Sequence, residues 1–241
     1  MQAFLLHGWG IKQSIWNEAN LSLPSVDRVL SPCLYEIASK AEDSLFDSIA
    51  QNLNDTIEQD TIIIAWSIGG LIAIPLQKLT KKIKAIVFVA SSPCFVNKEN
   101  WLNVIDEKNI SALQASLKEN TDKTLEYFSG LIAHGDTKLK QTNKTIRKHI
   151  AAEENNTMLS SWLDQMLTTD LRESFSEINC PVLAVFAEND SLIKTDIEKD
   201  LKLLNQNIET RIIKDCGHAP FLNNQQEFSK LINEFIDAKL Y

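Results

Sequence analysis

Short, predominantly apolar runs recurring between longer helix-compatible stretches leave this chain few folds. Thr61–Ala65 (TIIIA), Ala85–Ala90 (AIVFVA) and Val182–Ala187 (VLAVFA) lack the polar alternation of a strand with one wet face. Runs of this kind suit strands of a parallel sheet covered on both faces. Ala3–Leu6, Arg28–Leu30 and Thr210–Ile213 read as further strands, the second a weak one. Helical patterns fall at 42–57, 68–80, 194–206 and 221–238. Strand alternating with helix predicts the α/β class with a mostly parallel sheet.

The alternation breaks between residues 97 and 172, a polar, helix-compatible stretch poor in β-runs. It far exceeds the ~10–12 residues that a crossover needs. We therefore expect a core built from 1–96 and 173–241 and a helical lid or cap at 97–172. The 241 residues carry a formal net charge of −8, against the basic footprint of a general nucleic-acid binder. Cys33, Cys94, Cys180 and Cys216 are scattered and form no CxxC pair, so neither a metal site nor a disulfide framework is expected. No secretory signal and no membrane-length apolar run is visible, which predicts a cytoplasmic protein, and a monomer is expected.

The sharpest chemical signal is Trp66-Ser67-Ile68-Gly69-Gly70, which follows TIIIA directly and opens a helix. A serine on a sharp strand-to-helix turn with small neighbours is the context of a nucleophile elbow. The first small position is Ala65 and not glycine. A serine hydroxyl needs a base, and the base needs an orienting acid. His218, in Asp215-Cys216-Gly217-His218-Ala219-Pro220, is the one histidine after the last predicted strand. Asp190 follows VLAVFA and is the leading acid, with Glu188 and Asp215 as alternatives. Two backbone N–H groups must face the oxyanion: one from Ile68, the other from the loop Leu5-Leu6-His7-Gly8-Trp9-Gly10, where Trp9 is the expected donor and His7 shapes the loop. Only seven residues are glycine, and Gly8, Gly10, Gly69, Gly70 and Gly217 all flank these groups, which marks the same loops. Trp9 and Trp66 adjoin the two donors and are expected to wall the pocket, with Phe95, Trp101, Phe128 and Leu131 as further apolar candidates.

Leu5–Gly10 (LLHGWG), Trp66–Gly70 (WSIGG), Val89–Phe95 (VASSPCF), Asp190 and Cys216–Phe221 (CGHAPF) together resemble the α/β-hydrolase superfamily. More narrowly they resemble the pimeloyl-[acyl-carrier protein] methyl ester esterases of biotin synthesis. The likeness spans most of the chain and weakens across 20–55 and 97–172. It implies an α/β-hydrolase fold and a serine carboxylesterase with Ser67 as nucleophile, Asp190 as acid and His218 as base. It implies oxyanion donors at Trp9 and Ile68, and no metal or cofactor. Substrate contacts are implied at Trp9, Trp66, Ser67, Ile68, His218 and the lid stretch Phe128–Ile132. Within that stretch Phe128 and Leu131 match the family pattern, whereas Ser129, Gly130 and Ile132 depart from it. Two larger departures stand out. The hairpin usual at the sheet edge is missing, so about six strands are expected. The usual Asp-x-x-Gly-x-Gly-x-Ser loop is replaced by Ser31-Pro32-Cys33-Leu34-Tyr35.

Lys138, Lys140, Lys144, Arg147 and Lys148 lie within eleven residues that contain no acid, a local reversal of sign. Lys140, Lys144 and Lys148 share a helix face. The implied partner, an acyl carrier protein bearing the pimeloyl methyl ester, is acidic. A basic lid beside the entrance is expected to steer it. A general short-chain carboxylesterase, a thioesterase or a carbon–carbon hydrolase would use the same triad, and a non-catalytic binding protein could keep the fold.

Overall fold

A computed structural model describes residues 1–38, 45–154 and 156–241. Six strands form one sheet: β1 (Gln2–Leu6), β2 (Arg28–Leu30), β3 (Thr61–Trp66), β4 (Ile83–Val89), β5 (Val182–Ala187) and β6 (Ile208–Ile213). Every neighbouring pair is parallel, and the order is β2-β1-β3-β4-β5-β6. The three apolar-rich runs occupy β3, β4 and β5 at the centre, where both faces are covered; β3 and β5 are buried from end to end. The weak run forms β2, a three-residue edge strand with two exposed positions.

The helices follow from this order. The chain steps one way from β1 to β2, then crosses back to β3 and continues to β6. Right-handed crossovers therefore place the first connection on one face and the later ones on the other. The later set is α2 (Leu45–Asn54), α3 (Gly70–Leu79), α8 (Arg172–Ser176) and α9 (Ile197–Leu204), which pack in series. The first connection is a 3-10 helix, Gln13–Ala19. Its Trp16 stacks on Phe221 at 4.6 Å, and Phe221 meets Phe228 of α11 (Gln225–Leu240) at 5.9 Å, so α11 covers that same face. The expected helix at 221–238 is two pieces, α10 (Pro220–Asn223) and α11. Asn224 breaks it and caps α11 by accepting from Glu227 N–H. The start of the 42–57 pattern lies outside the described residues. Two short elements had no periodic signal: the 3-10 helix and α1 (Leu34–Ala38).

Between β4 and β5 lie α4 (Glu107–Glu119), α5 (Thr121–Ala133), α6 (Leu139–Arg147) and α7 (Asn156–Thr168). Asp106 and Asn120 cap α4 and α5 through their side chains.

In open sheets of this kind ligands bind at the carboxyl ends of the strands, where the strand order reverses. That point is the gap between β1 and β3. Leu6 pairs with Ala65, so His7–Trp9 and Trp66–Ile68 emerge side by side. Ala187 pairs with Ile213, so the chain beyond β5 and the chain beyond β6 also emerge level.

Candidate active site

Ser67 leaves β3 with φ +53°, a left-handed conformation that a side chain rarely adopts. Such strain persists only where the surroundings over-determine it. Ser91, just beyond β4, does part of this: its hydroxyl donates to the Ser67 carbonyl at 2.7 Å. A Cβ at position 70 would lie 2.1 Å from the Ser91 hydroxyl oxygen, so only glycine permits that approach. The Ser67 hydroxyl in turn lies 2.9 Å from His218 Nε2. His218 Nδ1 lies 2.7 Å from Asp190 Oδ2. The other Asp190 oxygen accepts the backbone N–H groups of Leu192 and Ile193 at 2.8 and 3.2 Å. Both carboxylate oxygens are thus satisfied, which fixes the ring that they face.

The two alternative acids are placed elsewhere. Glu188 accepts the Asp215 N–H at 3.1 Å, and the Asp215 carbonyl receives Thr137 and Asn223. The His218 backbone is held too. Its N–H donates to Ile132 O at 3.0 Å, and its carbonyl accepts from the Trp66 indole at 2.8 Å.

Ser67, Ile68 and Trp9 line one cavity of about 600 Å³. Its wall is apolar: Phe95, Ile110, Leu113, Phe128, Leu131 and Met166 among others. The roof comes from α4, α5 and α7, and Asn109, Ser116, Tyr127, Ser191 and Lys194 add exposed polar groups. Trp9 meets Phe128 edge-on at 4.8 Å, and its indole donates to Leu159 O of α7 at 2.9 Å. Beyond Trp9 the chain is tied to 149–151 by two backbone hydrogen bonds, Ala151 N–H to Gly10 O and Lys12 N–H to His149 O, which make the antiparallel bridge between Ile11 and Ile150.

Several expected lining residues lie elsewhere. Trp66 is buried behind the site, where its ring packs against Phe221 and His218. A strand buried on both faces gives no periodic clue to which side chain meets the cavity. Trp101 turns inward and donates to Cys94 O at 3.0 Å. Ile132 is buried, and it is its carbonyl that serves the site, through His218. Ser129 bonds Glu126 O and Asn143 of α6, so this departure from the family pattern lies off the cavity wall. The five basic residues of 138–148 do not line the cavity. Lys138 donates to Asn223 O, Arg147 pairs with Glu126, and Lys140, Lys144 and Lys148 are exposed. A shared helix face says which residues stand together, not where the helix packs.

His7 is wholly buried. Its Nδ1 bonds Gly8 O at 2.9 Å, and its Nε2 accepts the Leu34 N–H at 3.0 Å. Nδ1 therefore carries the proton and the ring is neutral. Burial pushes its pKa down to about 4, with the Gly8 carbonyl opposing in part. Among the described residues no His, Cys, Asp and Glu group has the arrangement of a metal site. No helix among them is long and apolar enough to cross a membrane.

The sequence profile of the Alpha/beta hydrolase family matches residues 3–231, and the chain belongs to that family. It is similar to the pimeloyl-[acyl-carrier protein] methyl ester esterase of Aliivibrio salmonicida, at 27% identity over 240 residues, covering 98% of this chain and 92% of the relative. The enzyme of the same name from Salmonella newport is 28% identical over 234 residues, covering 95% and 91%. Among solved structures, an esterase from Exiguobacterium antarcticum superposes with a TM-score of 0.86 at 14% identity, covering 98% of this chain and 92% of that one. A bromoperoxidase from Bacillus anthracis gives 0.85 at 17%, covering 98% and 91%. At such identities these two show the fold alone.

Proposed function

We propose that the protein is a cytoplasmic serine carboxylesterase that hydrolyses the methyl ester of pimeloyl-[acyl-carrier protein] methyl ester. The observation that carries the chemistry is the hydrogen-bonded series Ser67–His218–Asp190 opening on an apolar cavity. The substrate rests on the relatives, which carry that activity in their names over nearly their whole length.

His218 Nε2 takes the Ser67 proton as the hydroxyl oxygen attacks the ester carbonyl. Asp190 holds the ring and stabilises the imidazolium that forms. The N–H groups of Trp9 and Ile68 receive the oxyanion, and Ser67 sits at the start of a helix whose dipole favours negative charge. Collapse expels methanol, protonated by His218. Water, activated by the same ring, then releases the carboxylate and frees Ser67. Residues 97–172 serve as the lid: α4, α5 and α7 supply the apolar roof under which the acyl chain lies. Phe128, Leu131 and Trp9 contact that chain. The basic face of α6 receives the carrier protein outside the cavity.

One observation favours a broader reading, a general short-chain carboxylesterase or thioesterase: none of the five basic residues lines the cavity. Purified protein given the carrier-bound methyl ester decides between the two. The proposal expects methanol and carrier-bound free acid with the thioester intact. Thioester cleavage, or turnover of free short-chain esters far faster than the carrier-bound one, contradicts it.

A further inference from the structure

The segment Ser31–Tyr35, one of the two larger departures from the family pattern, reaches the oxyanion loop. The Trp9 N–H belongs to the Gly8–Trp9 peptide plane. A planar trans peptide points its C=O and N–H in opposite directions. Whatever fixes Gly8 O therefore aims the Trp9 N–H, and His7 bonds Gly8 O at 2.9 Å. The next plane, Trp9–Gly10, is fixed by Tyr35: its hydroxyl oxygen accepts the Gly10 N–H at 2.6 Å. Beyond it, Gly10 O accepts the Ala151 N–H at 2.9 Å, and Gly10 has φ +69°, which suits glycine. Trp9 is thus held between two pinned planes.

Leu34, beside Tyr35, donates the N–H that sets the His7 tautomer. One five-residue segment therefore controls both planes. The Tyr35 ring is buried, 5.2 Å from His7 and 4.9 Å from Trp162 of α7. A phenylalanine would fill that space equally well. The oxygen has a separate use: it faces the Gly10 amide, next to the oxyanion donor, and the Ile11 amide one residue further on.

We propose that Tyr35 is a positioning residue for ester hydrolysis: its hydroxyl oxygen holds the Trp9–Gly10 peptide so that the Trp9 N–H faces the developing oxyanion. This rests on the reading of Trp9 and Ser67 given above. It assigns to the Ser31–Tyr35 segment the task of setting the oxyanion loop.

The test is Tyr35→Phe. Deleting an oxyanion donor outright costs about 10²–10³-fold in kcat, and a donor left present but loosened should cost about tenfold or more. We expect that fall in kcat, with KM within twofold. Affinity for an alkyl boronic acid, which forms a tetrahedral adduct on Ser67, should weaken by the same factor. Affinity for the carboxylic acid product should hold. Phe46→Leu, in the core behind Trp162, controls for stability: the melting temperature should fall and kcat should not. If Tyr35→Phe does not fold, 3-fluorotyrosine placed at position 35 keeps the ring and weakens the oxygen as an acceptor, and a smaller fall in kcat is expected. A kcat within twofold of wild type in the folded variant overturns the proposal, as does equal loss of boronate and product affinity. A wild-type protein that forms no boronate adduct overturns the serine reading beneath it instead.

Discussion

Two Ser–His–acid series stand among the described residues. In the first, Ser67, His218 and Asp190 are joined at 2.9 and 2.7 Å. In the second, Ser14 lies 2.8 Å from His149 Nδ1, and His149 Nε2 lies 3.1 Å from Glu18. The residue types and hydrogen-bond lengths are nearly alike, and the settings are not. The first histidine and acid have side chains 1% and 0% exposed, whereas the second pair are 12% and 36% exposed. Ser67 sits at φ +53° at a strand end and opens on the cavity beside Trp9 and Ile68. Ser14 lies in a 3-10 helix and does not line that cavity. Its histidine ties the end of α6 to the segment after β1, next to the backbone bond from Lys12 to His149. On the proposed reading, hydrogen-bonded connectivity alone does not make a nucleophile; strain, a dry environment and a place for the oxyanion do.

The largest predicted effect separates the two series directly. Ser67→Ala should lower kcat by at least about 10⁴-fold, whereas Ser14→Ala should leave steady-state ester hydrolysis within twofold. Asp190→Asn should cost roughly 10⁴-fold by leaving the wrong histidine tautomer, with no counterpart in Glu18→Gln, and the same assay reads both.

His7 belongs to neither series. His7 is neutral in the folded chain, its pKa held at about 4 against an ordinary 6.5. Between those values the unfolded chain binds more protons than the folded one, so stability falls as pH drops through the window, by on the order of 3 kcal/mol in all. Denaturant melts from pH 7 to pH 4 should show this loss, and His7→Gln should flatten it. The smallest effect tests the basic face. Lys140→Glu with Lys144→Glu should lower kcat/KM for the carrier-bound ester about tenfold, more at low salt, and leave a small free ester unchanged.

Much of the first series was legible in the sequence, and the reason is local. A β-branched run ending at Ser67, with Gly69 and Gly70 behind it, encodes strand, turn and close approach within a few residues. Asp190 and His218 each follow a strand, so the order of elements located them. What depends on packing between distant segments was hidden. Ser91 stood in a conspicuous run, yet nothing local showed its hydroxyl reaching Ser67 O. Tyr35 looked like part of a loss, because the glycine-rich loop was gone, and its bond to Gly10 spans 25 residues. The sequence neighbours of Trp66 point to the cavity wall, whereas its indole supports the His218 loop from behind. The basic run was plain, but not that α6 packs away from the cavity wall.

Whether setting and not connectivity selects the nucleophile is decided most directly by covalent labelling. The protein should be treated with a fluorophosphonate, digested, and each modified serine located by mass spectrometry. One label per chain is expected, on Ser67, lost in Ser67→Ala and kept in Ser14→Ala. A label on Ser14, or none on Ser67 in the folded protein, would contradict selection by setting.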